Sequence, residues 1–338
     1  AFTAYNTRII TPPTGDNTPV EPVRRKILLI ALVLGFLIPM VVIYIREKAN
    51  TTVRGRKDLK KVNVPFLGEI PFSISRKNRP TLEQRIKFWK KPKEVRMIVV
   101  KAGKRDIVNE AFRVLRTNFE FTIGTHPEQN VIVFTSFNPG SGKSHIAANM
   151  AMSLAIKKKK VLLIDGDLRH GSTSMLIHSP GEGLSDYLNG RITDIHDILY
   201  KGEENGLVKG FDVIPIGTIP PNPTELLFTP LLEQMIKTMR EEYDYVFIDC
   251  PPIEVVADTP IYEQFADRTI FVVRAGLMER SMLPEVNALY KEKKFKNMTL
   301  ILNGTKAQGG RYGSHYGYGY GYGYGYNYNK EKNGGAKS

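Results

Sequence analysis

The nine residues Ser136–Ser144, SFNPGSGKS, follow the apolar run Val131–Thr135 and precede HIAANMAMSLAI. Glycine at 140 and 142 lets a backbone approach phosphate oxygens closely. Amides at a helix N-terminus attract anions. Lys143 has the reach for β- and γ-phosphates, and the Ser144 hydroxyl suits Mg2+. The strict phosphate-loop pattern wants glycine five residues before Gly142; Phe137 stands there, so this loop is a variant. Two other apolar runs end in carboxylates. VLLIDGDLR at 161–169 carries Asp165 and Asp167, and VFIDCPP at 246–252 carries Asp249. A single aspartate at a strand end is most often a helix cap. Three of them at the carboxyl edge of an open sheet, where such folds bind ligands, offer the oxygens that nucleotide chemistry on a hard cation requires.

These residues need a scaffold, and residues 106–306 have the pattern for one. The segments Val131–Thr135, Val161–Ile164, Asp212–Ile216, Tyr245–Ile248, Thr269–Val273 and Thr299–Leu302 read as strands, with room between them for crossover helices. Near-continuous apolar strands alternating with helices predict an α/β fold of the P-loop NTPase kind, a mostly parallel central sheet with helices on both faces. Glu110, Arg113 and Arg116 fall at steps of three on a predicted helix and are expected on one face, opposite a core stripe of Phe112, Leu115 and Phe119.

The flanks are of a different composition. Residues 1–26 are rich in Pro and Thr and read as an extracytoplasmic linker. Residues 27–45, ILLIALVLGFLIPMVVIYI, contain no charge. As a helix they extend roughly 28 Å, about the thickness of a bilayer's hydrocarbon core. Arg46, Lys48, Arg54, Arg56, Lys57, Lys60 and Lys61 follow, so the C-terminal side is expected to be cytoplasmic. Residues 46–105 read as a basic juxtamembrane linker in which VPFLGEIP, at 64–71, forms a short elbow and Lys87–Lys93 a patch that faces solvent or membrane lipid. Residues 307–338 are Gly, Tyr, Asn and Lys without core-forming content, a disordered tail. The single cysteine, Cys250, excludes an internal disulfide. A net charge of +14 raises nucleic acid as a partner, but the basic residues concentrate beside the apolar segment, which argues against it. Ala1 opens the chain, which reads as part of something longer.

SFNPGSGKS, LLIDGDLR and FIDCPP resemble the Walker A, A′ and B motifs of the bacterial tyrosine kinases of capsule and exopolysaccharide export. Glu110-x-x-Arg113-x-x-Arg116, GLSDYLNG at 183–190, PNPTELL at 221–227 and the tyrosine-rich terminus carry the same resemblance, over roughly residues 60–328. Ser141 and Cys250 depart from it, since many relatives have Glu and Thr there.

The resemblance implies an ATP-dependent tyrosine autokinase of the bacterial inner membrane, its kinase domain and tail cytoplasmic, using ATP/ADP and Mg2+. It implies that Gly140, Ser141, Gly142, Lys143 and Ser144 hold the phosphates, and that Ser144, Asp167 and Asp249 hold the metal. Asp165 would orient or deprotonate the tyrosine hydroxyl, so Lys143, Asp165 and Asp167 form the catalytic group; Asn303 would touch adenine. Glu110, Arg113 and Arg116 would pair protomers in a ring. Tyr312, Tyr316, Tyr318, Tyr320, Tyr322, Tyr324, Tyr326 and Tyr328, eight of the 16 tyrosines, would be the substrates. Implied partners are the periplasmic co-polymerase domain and first spanning helix of the single-chain form, a tyrosine phosphatase, a polysaccharide export outer-membrane protein and membrane lipid, with no nucleic acid. The alternative is a ParA/MinD-like membrane-associated ATPase switch; such proteins usually carry a lysine early in the loop, where this chain has Asn138.

Overall fold

A computed structural model describes Gly15 and residues 24–72, 97–124, 128–254 and 258–306. The tail tyrosines and the Lys87–Lys93 patch lie outside the described residues. The chain divides into two units, 1–51 and 52–338.

The first unit contains helix α1, Arg24–Lys48. None of its residues is buried, and it is long and apolar enough to cross a membrane by length and composition.

The second unit is built on a seven-stranded sheet ordered β1-β7-β6-β2-β5-β3-β4, with every pairing parallel. In chain order its elements are β1 Phe66–Pro71, α2 Ile107–Ile123, β2 Val131–Ser136, α3 Lys143–Ala155, β3 Val161–Asp165, α4 Leu184–Leu188 and β4 Phe211–Ile214. They continue with α5 Pro223–Leu226, α6 Pro230–Glu242, β5 Tyr245–Asp249, α7 Thr259–Glu263, β6 Arg268–Arg274, α8 Leu283–Lys291 and β7 Thr299–Thr305. β2, β3 and β5 are buried or nearly so along their whole length, which accounts for their unbroken apolar sequences. One hydrophobic cluster joins α2 and α3 to one side of the sheet, and another joins α4 and α6 to the other.

β1 departs from the sequence reading. VPFLGEIP is not an elbow in a linker but the edge strand, paired with β7 from Phe66↔Leu300 to Pro71↔Thr305. Two prolines and a glycine disguise it, and register shifts at Phe66/Gly68 and Ile70/Pro71 accommodate them. At Gly68 a Cβ would lie 2.9 Å from Leu115 Cδ1 of α2, so the strand packs closely on that helix. Residues 52–72 therefore belong to the folded unit, with Val53, Leu59 and Val64 in its core.

Segment 97–101 is likewise no free linker. Asn149 of α3 accepts from the amides of Val99 and Val100 at 2.8 and 3.0 Å, and its own amide donates to the Met97 carbonyl at 2.7 Å.

Candidate phosphate-binding site

The loop 137–142 joins the carboxyl end of β2 to the amino end of α3, and Lys143 opens that helix. Gly140 and Gly142 have φ of 73° and 87°, values side chains rarely adopt. Gly142 is also tightly enclosed, since a Cβ would stand 2.3 Å from Asn303 Nδ2. Several side chains hold the loop in shape. Ser136 and Ser141 hydroxyls donate to the Asn138 carbonyl at 2.9 and 2.7 Å. Asn303, at the end of β7, donates to the Ser141 carbonyl at 2.9 Å. Arg274, at the end of β6, donates to the Gly140 carbonyl at 2.8 Å. Asn138 donates to Glu254 Oε2 at 2.7 Å. With the carbonyls so engaged, the loop's amides are left for an anion.

The sheet carries the carboxylates to the same place. β3 and β5 pair in register so that Asp165 and Asp249 are direct neighbours. Two residues on, Asp167 Oδ2 stands 3.8 Å from Lys143 Nζ. The Thr173 hydroxyl donates to Asp249 at 2.7 Å, and Ser144 lies near enough to lower the Asp249 carboxyl. Lys143, Ser144, Asp167 and Asp249 thus share one cleft, which joins a helix start to the ends of two strands.

Asp165 is bonded differently. Like Asp249 it is fully buried, but its Oδ2 accepts from both the amide and the hydroxyl of Ser174, each at 2.7 Å. Ser174 Oγ in turn accepts from the Ile216 amide at 2.9 Å, which ties the end of β4 into the cluster. Burial, reinforced by the charge of Asp249, pushes the Asp165 carboxyl up to about 7. Asp249 is raised too, first by burial, with Lys143 opposing. Each of the two keeps one buried oxygen, Oδ1, without a hydrogen-bond partner among the described residues. An unsatisfied oxygen on Asp249, beside Asp167, an ammonium and a hydroxyl, fits a divalent cation. Among the described residues no three His, Cys, Asp or Glu side chains form a metal cage, so such an ion depends on Ser144 and on phosphate oxygens as well.

Asn303, expected at adenine, donates from its amide to the Ser141 carbonyl, a bond that braces the loop and does not bear on adenine. One expectation changes. Arg116 does not share an open face with Glu110 and Arg113. Each step of three on a 3.6-residue helix rotates by about 60°, so the third residue is turned about 120° from the first. Arg116 Nη1 lies against α3, donating to the Ser153 carbonyl at 2.8 Å and its hydroxyl at 3.1 Å. Glu110 and Arg113 form an exposed ion pair. The core stripe Phe112, Leu115 and Phe119 is as expected. Cys250 is fully buried, and burial pushes its thiol well above the usual range.

Sequence reasoning missed Thr173, Ser174 and Arg274, because hydroxyls in a loop and an arginine at a strand end carry no pattern of their own. It missed a further tie as well. Arg169 reaches Thr224 Oγ1 at 2.9 Å and Asp258 Oδ2 at 3.5 Å, linking the Asp165–Asp167 turn to the PNPTELL segment.

Residues 129–275 match the AAA domain family AAA_31. The tyrosine-protein kinase wzc of Salmonella typhimurium is 32% identical over 280 residues, which is 81% of this chain and 37% of that protein. The tyrosine-protein kinase etk of Escherichia coli K12 is 31% identical over 277 residues, 80% of this chain and 37% of its own length. The chain therefore spans under two fifths of the curated relatives it matches. The solved kinase domain of Escherichia coli ETK is matched over its whole length and over 79% of this chain, at 30% identity and a TM-score of 0.64.

Proposed function

The chain belongs to the bacterial tyrosine kinase family, and we propose that it is the membrane-anchored kinase portion of an ATP-dependent tyrosine autokinase that modifies its own tail. The observation that carries this reading is the shared cleft of Lys143, Ser144, Asp167 and Asp249, in a chain whose terminus presents eight tyrosines.

Phosphoryl transfer requires mainly positioning and charge neutralisation. In this reading the loop amides and Lys143 bind the β- and γ-phosphates of ATP. Ser144, Asp167 and Asp249 hold Mg2+, which when bound spreads the charge of the transferring group. Asp165, with a carboxyl raised to about 7, takes the proton of the incoming tyrosine hydroxyl. For that its unpartnered Oδ1 must become accessible.

Glycines between the tyrosines give a coil of about 25 residues a root-mean-square reach of roughly 25–30 Å. That length lets the tail enter a neighbouring protomer, so transfer runs in trans within a ring. Glu110 and Arg113 meet the neighbour, while Arg116 sets the angle of α2 on α3. Each phosphate adds about −1.5 to −2 charges, so a fully modified tail nearly cancels the chain's +14 and leaves the site. The protein sits in the inner membrane with residues after α1 cytoplasmic, regulating capsule or exopolysaccharide polymerisation.

The test incubates purified chain with ATP and Mg2+ and reads phosphotyrosine by mass spectrometry. Tail tyrosines should be modified, and Lys143→Met should lower the rate by at least about 100-fold. ATP hydrolysis without phosphotyrosine would sink the kinase reading and favour the ATPase switch.

A further inference from the structure

Folding places a second set of lysines beside those that follow α1. The short helical turn Asp58–Lys61 packs its Leu59 into the hydrophobic cluster that also holds Val286 of α8, Phe295 and Met298. The Asn63 amide donates to Asn287 Oδ1 of α8 at 3.0 Å, and the Leu300 amide to the Pro65 carbonyl at 2.8 Å. These contacts align the turn with α8 and the KEKK sequence that ends it. Lys57, Lys60, Lys61, Lys291, Lys293 and Lys294 are all exposed around this cluster.

Among the described residues, five of the six also lack the acidic partner that several of the unit's other lysines have. Lys104, Lys157, Lys159, Lys201 and Lys237 each have a carboxylate within 3.4 Å. Of the six, only Lys294 has an acidic partner among the described residues, Glu292 at 3.9 Å. Glu285 and Glu292 are the exposed acids of α8 and its end, and Asp58 is engaged by Arg280 at 3.0 Å. Ammonium groups carried on one rigid base favour an opposite charge facing them.

The chain itself supplies the location. Lys57 follows Lys48, the last residue of α1, by only nine positions, which fully extended span at most about 30 Å. We propose that this lysine face is a docking surface for anionic lipid headgroups, so that the folded unit lies against the membrane through α8 as well as through its tether. Anionic lipids give the cytoplasmic leaflet a negative surface potential that falls off within a Debye length, and lysines held at that distance are attracted. The proposal rests on α1 spanning the bilayer.

The experiment reconstitutes the full chain in nanodiscs of phosphatidylcholine alone or with about one third phosphatidylglycerol, and measures amine acetylation of each lysine by mass spectrometry. Labelling of all six lysines should fall at least about five-fold in the anionic discs and recover at about 0.5 M salt. Lys158 and Lys209, exposed elsewhere, should be unchanged. Changing Lys291, Lys293 and Lys294 to Gln should restore labelling of Lys57, Lys60 and Lys61 in the anionic discs. If the α8 lysines react equally in both discs, or only Lys57, Lys60 and Lys61 are protected, the docking surface does not exist. Copurification with neutral discs tests the span separately; a chain that fails to enter them overturns both.

Discussion

Asp165→Asn should make the nucleotide-free protein more stable, and by an amount that depends on pH. The wild-type carboxyl is raised from 3.8 to about 7 by burial first and by Asp249 second. A carboxyl raised on folding holds its proton more tightly in the native state, so its contribution is most favourable below the unfolded value and is lost as pH rises through the native one. The loss amounts to about 2 kcal/mol at about pH 5 and about 4 kcal/mol at about pH 8. Asparagine removes the charge but keeps the shape. Its carbonyl can accept both Ser174 bonds, and its amide can donate toward Asp249, whose Oδ1 has no partner among the described residues. The variant should therefore gain up to about 4 kcal/mol at about pH 8, roughly 8–16 °C in melting temperature for a unit of this size, and about half that at about pH 5. Urea unfolding in detergent at the two pH values measures it. If the variant is no more stable than wild type at the higher pH, or its advantage does not shrink at the lower, burial has not raised Asp165 and the argument fails. The same variant should lose phosphotyrosine formation, because the base is gone.

Other substitutions test other parts of the site. Gly142→Ala forces a Cβ to 2.3 Å from the Asn303 amide at a φ of 87°, and should weaken ATP affinity by at least about 10-fold in calorimetry while leaving the helix content intact. Arg116→Ala removes a buried cationic donor from the Ser153 carbonyl and should cost about 2 kcal/mol in unfolding experiments. Glu110→Ala breaks only an exposed pair, so it should change stability by under about 0.5 kcal/mol while reducing assembly in sedimentation. Gly68→Val presses on Leu115 and should destabilise the unit by about 1–3 kcal/mol; an unchanged melting temperature would mean that β1 is not held in the sheet as described.

Six of the seven strands were legible because they are buried on both sides, and burial forces β-branched and aliphatic residues into unbroken runs. The phosphate loop was legible for a related reason. Positive φ at 140 and 142 demands glycine, and a lysine and a hydroxyl at the head of α3 follow at fixed spacing. β1 was not legible, since an edge tolerates the prolines that mask it; the other edge strand, β4, has none and was read.

Local sequence thus determined what each segment near the site is made of: an apolar strand, a turn that only glycine allows, an acid at a strand's end. Only the tertiary structure decided which acid meets Lys143 and which is bonded to Ser174, because Asp165 and Asp167 lie two residues apart in sequence but take different partners. It also decided that Arg116 braces α3, and that the turn at 58–61 packs beside α8. Such outcomes depend on how strands register and helices rotate against one another. Those are properties of the packed assembly, and no short stretch of chain carries them.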